Sequence, residues 1–148
     1  MNNPALKIDL QNPDKVSRLI FHEVLKYRRI SKINDHCTQH NCQRCLQHHF
    51  PKILNKVLKN EPILFVLPAF PDKSPNLNKV IGPLPDYAEE LALSFLSKMC
   101  EKIKKIYSPG AKIIICSDGR VFSDVIGIKD SDVTRYQDKL DKLILEGN

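Results

Sequence analysis

Ile63-Leu64-Phe65-Val66-Leu67 and Ala111-Lys112-Ile113-Ile114-Ile115-Cys116 are the two stretches that decide how this chain folds. Both are short, apolar and rich in β-branched residues. Pro62 and Pro68 bracket the first, Gly110 and Ser117 the second. Runs of this kind suit strands buried on both faces. Between them, Asp86–Tyr107 is amphipathic at helical spacing. Ala88, Leu91, Ala92, Phe95, Met99, Ile103 and Ile106 make one stripe, and Glu90, Ser94, Ser97, Lys98, Glu101, Lys104 and Lys105 make the solvent side. Asp86 caps this helix, Glu89 completes a capping box, and Tyr107-Ser108-Pro109-Gly110 stops it. Strand, helix, strand is a βαβ unit with parallel strands and a right-handed crossover. The expected fold is α/β, with a Rossmann-like, mostly parallel sheet and flanking helices. It should form one domain over residues 1–148, with residues 1–60 as a helical, Cys/His-bearing N-terminal segment.

Each strand empties into a polar loop, and both loops leave the same sheet edge. That edge is where open α/β sheets bind ligands. The first loop is stiffened by Pro68, Pro71, Pro75, Pro83 and Pro85 and carries Lys73, Ser74, Asn76 and Lys79. Two ammonium groups, a hydroxyl and an amide on a stiff loop suit a phosphate or a carboxylate. Solvated lysines on an ordinary surface loop would look the same. The second loop reads Ser117-Asp118-Gly119-Arg120-Val121-Phe122-Ser123-Asp124. Gly119 permits a sharp turn or a close backbone approach. Arg120 offers a bidentate fork for phosphate or carboxylate. Asp118 and Asp124 suit acid/base work, an amine contact or Mg²⁺; a plain Asp-Gly turn is the alternative. Val125–Ile128 reads as a short strand. Asp130-Ser131-Asp132 then caps a last helix with Val133, Tyr136, Leu140, Leu143 and Ile144 on one face.

Upstream, Asn12-Pro13-Asp14 is a helix start, followed by Val16, Leu19, Ile20, Val24 and Tyr27 at helical spacing. Lys15, Arg18, Lys26 and Arg29 lie opposite. Residues 34–49 hold three cysteines and four of the five histidines. Cys42-x-x-Cys45 has the spacing of a zinc knuckle or a redox pair, and Cys37, His40, His48 or His49 would complete a tetrahedral set. Structural zinc usually takes two well-separated ligand pairs, and no strand precedes the Cys pair as in thioredoxin-like units. A polar loop leading into a helix is the competing reading. From His49 the pattern is helical through Phe50, Ile53, Leu54, Val57 and Leu58, closing at Asn60.

Charge is unevenly placed. The net is +6, yet residues 1–60 hold 11 Lys/Arg against 4 Asp/Glu (+7), and residues 61–148 hold 12 against 13 (−1). A basic N-terminal part is compatible with an anionic partner or with a solvated helix face. A zinc-stapled nucleic-acid-binding module is therefore one functional alternative, although no aromatics interleave with the charges as single-strand binders require. Five cysteines without a signal-like N-terminus argue against a disulfide framework, and Cys100 and Cys116 read as buried core thiols. No apolar run is long enough to span a membrane, so the expected compartment is the cytosol.

The same segments resemble the isonitrile (isocyanide) synthase family, also called the pyoverdine/dityrosine biosynthesis family. The resemblance is carried by Phe65-Val66-Leu67-Pro68-Ala69-Phe70-Pro71, Lys73-Ser74-Pro75-Asn76, Lys79-Val80 and Gly82-Pro83-Leu84-Pro85-Asp86. Glu89-Glu90, Ile106-Tyr107-x-Pro109-Gly110-Ala111 and Ile115-Cys116-Ser117-Asp118-Gly119-Arg120-Val121-Phe122-Ser123-Asp124 continue it. Cys42-x-x-Cys45 followed by His48 or His49 is similar to the family's N-terminal pattern. The resemblance covers roughly residues 37–140. It implies an enzyme that joins an amino acid, of tyrosine or tryptophan type, to ribulose 5-phosphate. The α-amino nitrogen keeps a carbon of the sugar phosphate and becomes an isonitrile, without a redox cofactor. It implies Lys73, Lys79 and Arg120 as cationic anchors, helped by Ser74, Asn76 and Ser123, and Asp118, Asp124 and Ser117 as proton-transfer groups. Any zinc, on Cys37, Cys42, Cys45 and His49, would be structural. Family enzymes are considerably longer. The expectation is therefore an N-terminal portion: a fragment, a truncated gene, or half of a split enzyme completed by a second chain. A non-catalytic sugar-phosphate-binding remnant is the further alternative.

Overall fold

The computed structural model describes residues 12–28, 43–70, 72–74 and 76–147. In chain order these form α1 (Pro13–Leu25), α2 (Gln43–Leu58), β1 (Ile63–Pro68), α3 (Tyr87–Ile106), β2 (Ala111–Cys116), α4 (Gly119–Ile126) and α5 (Asp130–Glu146). They gather into two compact units. The first comprises the described residues up to Ile63 with Met99–Lys112; the second comprises Leu64–Lys98 with those from Ile113 onward.

β1 and β2 are hydrogen-bonded neighbours. The Ile63 N–H donates to the Gly110 carbonyl at 3.0 Å and the Ala69 N–H to the Cys116 carbonyl at 3.4 Å. Both bonds span the same offset along the chain, the signature of a parallel pair. The expected βαβ unit and α/β class are therefore present. Burial differs from expectation. Both strands alternate, with Leu64, Val66, Pro68, Lys112, Ile114 and Cys116 all exposed. The register sets Val66 opposite Ile114 on the same face. Strand side chains alternate between faces, and the described residues cover only one of them. The strands are thus not buried on both faces, and Cys116 is not a core thiol.

In the first unit α1 packs against α2. Asn12 Oδ1 accepts from the Asp14 and Lys15 N–H groups at 3.0 and 3.3 Å, and Pro13 occupies the first turn, as its missing N–H allows. The buried face is Val16, Ser17, Ile20, Phe21, Glu23 and Leu25. It is rotated from the expected one toward Phe21 and Leu25, and Leu19 and Val24 are only half-buried. Glu23 is held by Lys26 at 2.6 Å. α2 starts at Gln43, six residues before the expected His49, so Pro51 lies inside it and leaves one helical bond unmade. Asn60, at φ 54°, closes it, with the Glu61 N–H reaching back to the Lys56 carbonyl at 3.0 Å. Tyr107 ties this end down: its hydroxyl donates to the Glu61 carbonyl at 2.9 Å. Ile20 and Ile103 are fully buried in this unit.

In the second unit the expected loop after β2 is instead helix α4. The Asp118 carbonyl accepts from the N–H groups of Val121 and Phe122 at 2.9 and 3.3 Å, which starts the first turn. Gly127, at φ 71°, ends it, and the Ile128 N–H reaches the Ser123 carbonyl at 2.9 Å. This Schellman stop replaces the expected strand at Val125–Ile128. α5 packs on α4 and buries Val133, Tyr136 and Leu140. Its cap is Lys129 rather than the expected Asp130-Ser131-Asp132, because Asp130 is already in the first turn.

Candidate functional site

The two strand ends are tied together in the second unit. The Ser117 hydroxyl donates to the Phe70 carbonyl at 3.2 Å and accepts from Gln137 Nε2 at 3.2 Å. Phe70 itself has φ 55°, a left-handed conformation that costs a non-glycine residue about 1 kcal/mol. Such strain persists where the surrounding bonds over-determine it, and it concentrates at ligand sites. Asp118 caps α4 with its backbone only; its carboxylate makes no capping bond and is exposed. Asp124 is exposed on the same helix. Arg120 is exposed and braced: its Nη2 donates to Thr134 Oγ1 at 2.8 Å, and Thr134 donates in turn to the Asp130 carbonyl at 2.9 Å. Ser117, Asp118 and Arg120 thus follow the C-terminal end of β2 directly, and Asp124 lies a turn beyond Arg120 along α4. Ser123 does not join them. It is buried, and its hydroxyl donates to Asp130 Oδ1 at 2.9 Å, bracing α4 to α5.

Lys73 is placed differently from a free anchor. Its side chain is 8% exposed, with Nζ 2.7 Å from Asp86 Oδ2 and 2.9 Å from Glu89 Oε2. The capping box explains why both carboxylates are there. Asp86 Oδ1 accepts from the Ala88 N–H at 2.8 Å, and Glu89 Oε2 accepts from the Asp86 N–H at 2.8 Å. Tyr136 adds a third contact, its hydroxyl donating to Glu89 Oε1 at 3.3 Å. Burial works against the Lys73 ammonium, but the bonds to Asp86 and Glu89 outweigh it and hold its pKa above the ordinary value. The Lys73 bond holds the Asp86 carboxyl below its usual range. Burial, then the Glu89 charge, pushes the Tyr136 phenol well up. Asp72, whose Oδ1 accepts from the Lys73 N–H at 2.7 Å, is raised by burial, and its Oδ2 is buried with no hydrogen-bond partner among the described residues.

These shifts set a pH window. Asp86, depressed in the fold, adds stability above its unfolded pKa that is lost as pH falls through the folded one. Lys73, raised, adds stability below its unfolded pKa of about 10.5 that is lost as pH rises through the folded one. Neutral Tyr136 is preferred in the fold, so its unfolded-state ionisation near pH 10 also favours unfolding. The expected result is stability falling steeply above about pH 10 in urea melts. Tyr136→Phe should flatten the part of that alkaline limb that begins near pH 10. An unchanged limb would remove Tyr136 from the account.

The remaining residues of the first loop build the loop itself. Ser74 Oγ accepts from the Asn76 N–H at 3.2 Å, and Asn76 Oδ1 accepts from the Asn78 N–H at 3.0 Å. Lys79 is exposed. Of the zinc candidates, Cys37, His40 and Cys42 lie outside the described residues. Cys45 and His49 lie on α2 with His48, beside Arg44 and Gln47 around an open cleft. Among the described residues no group of three His, Cys, Asp or Glu is arranged to hold a metal. Burial, then the charges of His48 and Lys52, holds His49 below its ordinary pKa. No helix among the described residues is long and apolar enough to cross a membrane.

The order of these pieces along the chain matches a known family. The model of the pyoverdine/dityrosine biosynthesis proteins matches residues 53–148, from α2 through both strand ends to α5. The chain belongs to this family. It is similar to the L-tryptophan isonitrile synthase AmbI1 of Fischerella ambigua, 47% identical over 133 residues, covering 90% of this chain and 42% of that protein. It is similar also to the L-tyrosine isonitrile synthase of Xenorhabdus nematophila, at 47% identity over 90% of this chain and 40% of that protein. Among solved structures, the crystal structure of PvcA from Pseudomonas aeruginosa superposes with a TM-score of 0.80 at 44% identity. It covers 88% of this chain and 42% of PvcA. The chain thus spans about two fifths of the length of these two synthases.

The candidate site owes more to α5 than the sequence suggested. Thr134 braces Arg120, Gln137 holds Ser117, Asp130 holds Ser123 and Tyr136 meets Glu89. Spacing signalled α5 only through its apolar positions. Thr134 and Gln137 lie within one turn of Tyr136, which becomes informative only once α5 is known to pack on α4.

Proposed function

We propose that this chain carries the N-terminal part of an isonitrile synthase site, joining an amino acid of tyrosine or tryptophan type to a carbon of ribulose 5-phosphate. The observation that supports this most is Arg120: an exposed guanidinium, braced by Thr134 at the start of α4, one turn from two exposed carboxylates and a strand-end hydroxyl. Its fork suits the phosphate or the amino-acid carboxylate, and exposed Lys79 supplies a second cation. Condensing an amine with a ketone needs protons moved on and off nitrogen and oxygen, a task for Asp118, Asp124 and Ser117. Ser74, Asn76 and Ser123 act by shaping the loop and α4 around these groups. Lys73, locked to Asp86 and Glu89, positions the loop that bears Lys79. No cofactor enters this reading, and its compartment is the cytosol. A second reading is sugar-phosphate binding without turnover, which the exposed and braced Arg120 supports equally.

The test is isotope transfer. ¹³C-labelled ribulose 5-phosphate is incubated with L-tyrosine or L-tryptophan, using this chain alone and joined to the rest of the family architecture. Label in an isonitrile carbon supports the synthase. Binding without label in either form supports the binding portion, and neither binding nor label sinks both.

A further inference from the structure

We infer that the outward face of α4, with the open face of β1 and β2, is a docking surface for the C-terminal portion of the family architecture. α4 is turned the wrong way for a free surface helix. Its apolar residues Val121, Phe122 and Val125 face water, with Val121 73% and Val125 81% exposed. Among its described side chains, the buried positions are Gly119 and Ser123. A helix normally puts its apolar stripe toward a core, so this stripe calls for one that these residues do not supply. The sheet repeats the signal: Leu64, Val66 and Ile114 are exposed on one face, Val66 at 65%. Parallel strands are almost always covered on both faces, and a two-stranded sheet is not stable by itself.

The occupant follows from length. This chain corresponds to 42% of AmbI1 and of PvcA, so more than half of the shared architecture lies outside it. A surface that is apolar on a parallel sheet and on the helix that follows its second strand is what such a portion would cover. Asp124, three residues from Val121 on the same helix, stands beside the stripe. Whatever covers the stripe therefore also walls the side of the candidate site that these residues leave open. This inference rests on family membership and not on turnover, so its failure and that of the proposed activity can be told apart.

The test uses Val121→Lys/Val125→Lys in two settings. One is this full chain. The other is the same chain joined in frame to the part of the Xenorhabdus nematophila L-tyrosine isonitrile synthase that lies beyond the matched region. Lysine is at least as good a helix former as valine and both positions are exposed, so the chain alone should melt within about 2 °C of wild type. The joined protein should melt as one unit, and the substitutions should lower its Tm by more than about 10 °C. Val121→Ile/Val125→Ile should leave it unchanged. Equal effects in both settings, no effect in either, or a joined protein that does not fold cooperatively would each overturn the inference. So would a dimer of the isolated chain that the lysines dissociate, because the occupant would then be a second copy.

Discussion

Glu89→Ala is expected to lower unfolding stability by about 3 kcal/mol, read from urea melts. Glu89 does three jobs at once: it pairs with buried Lys73 at 2.9 Å, accepts from the Asp86 N–H at 2.8 Å, and accepts from Tyr136 at 3.3 Å. Removing it leaves an ammonium that is 8% exposed with Asp86 as its remaining carboxylate, and loses the reciprocal half of the capping box, the bond to the Asp86 N–H. Breaking one side of a buried pair costs more than the pair itself is worth, because the charge left behind stays desolvated. Lys73→Met added to Glu89→Ala should therefore recover part of the loss. Glu89→Gln, which still accepts the capping bond, should fall between. A loss below about 1 kcal/mol for Glu89→Ala would show that Lys73 finds water instead, and the clamp would be discarded.

If the proposed site binds ribulose 5-phosphate, Arg120→Ala is expected to weaken that binding roughly 30-fold by calorimetry while moving Tm by less than about 2 °C. The asymmetry comes from its setting. The guanidinium is exposed and donates to the Thr134 hydroxyl at 2.8 Å on the surface of the unit, so its loss opens no cavity. Arg120→Lys keeps the charge but not the fork and should recover only part of the affinity. Thr134→Ala removes the brace and should weaken binding less than Arg120→Ala. Lys73→Met should behave oppositely, losing stability more than affinity. If Lys73→Met cost binding as much as Arg120→Ala at unchanged stability, the roles given to the two cations would be exchanged.

The candidate site was legible wherever chemistry and local geometry coincide. Asp86 and Glu89 announce a capping box because the bond between them closes within one turn. Asn12-Pro13-Asp14 announces a helix start for the same reason. Ser117-Asp118-Gly119-Arg120 announced a strand end with functional groups, and Arg120 is there, exposed. Legibility stopped at Ser123 and Lys73. Ser123 looked like another hydroxyl in a polar loop, but α4 turns it inward onto Asp130. Lys73 looked like a free ammonium, but it meets Asp86, thirteen residues on, as the prolines and the cap bring the loop back on itself.

By itself the sequence determined the strand–helix–strand order, the parallel pairing, the caps of α1 and α3 and the family, because each rests on backbone preference, side-chain period or residue order within a few turns; α4 in place of the expected loop and strand, and the Lys129 cap of α5, came only with the structure. The tertiary structure alone decided which face of each element is covered. Period says that a strand has two faces and a helix one apolar stripe; it does not say what lies against them. That depends on residues far apart in the chain, such as Tyr107 with Glu61, Gln137 with Ser117, or Tyr136 with Glu89. For β1, β2 and α4, those partners leave Val66, Ile114, Val121 and Val125 facing outward.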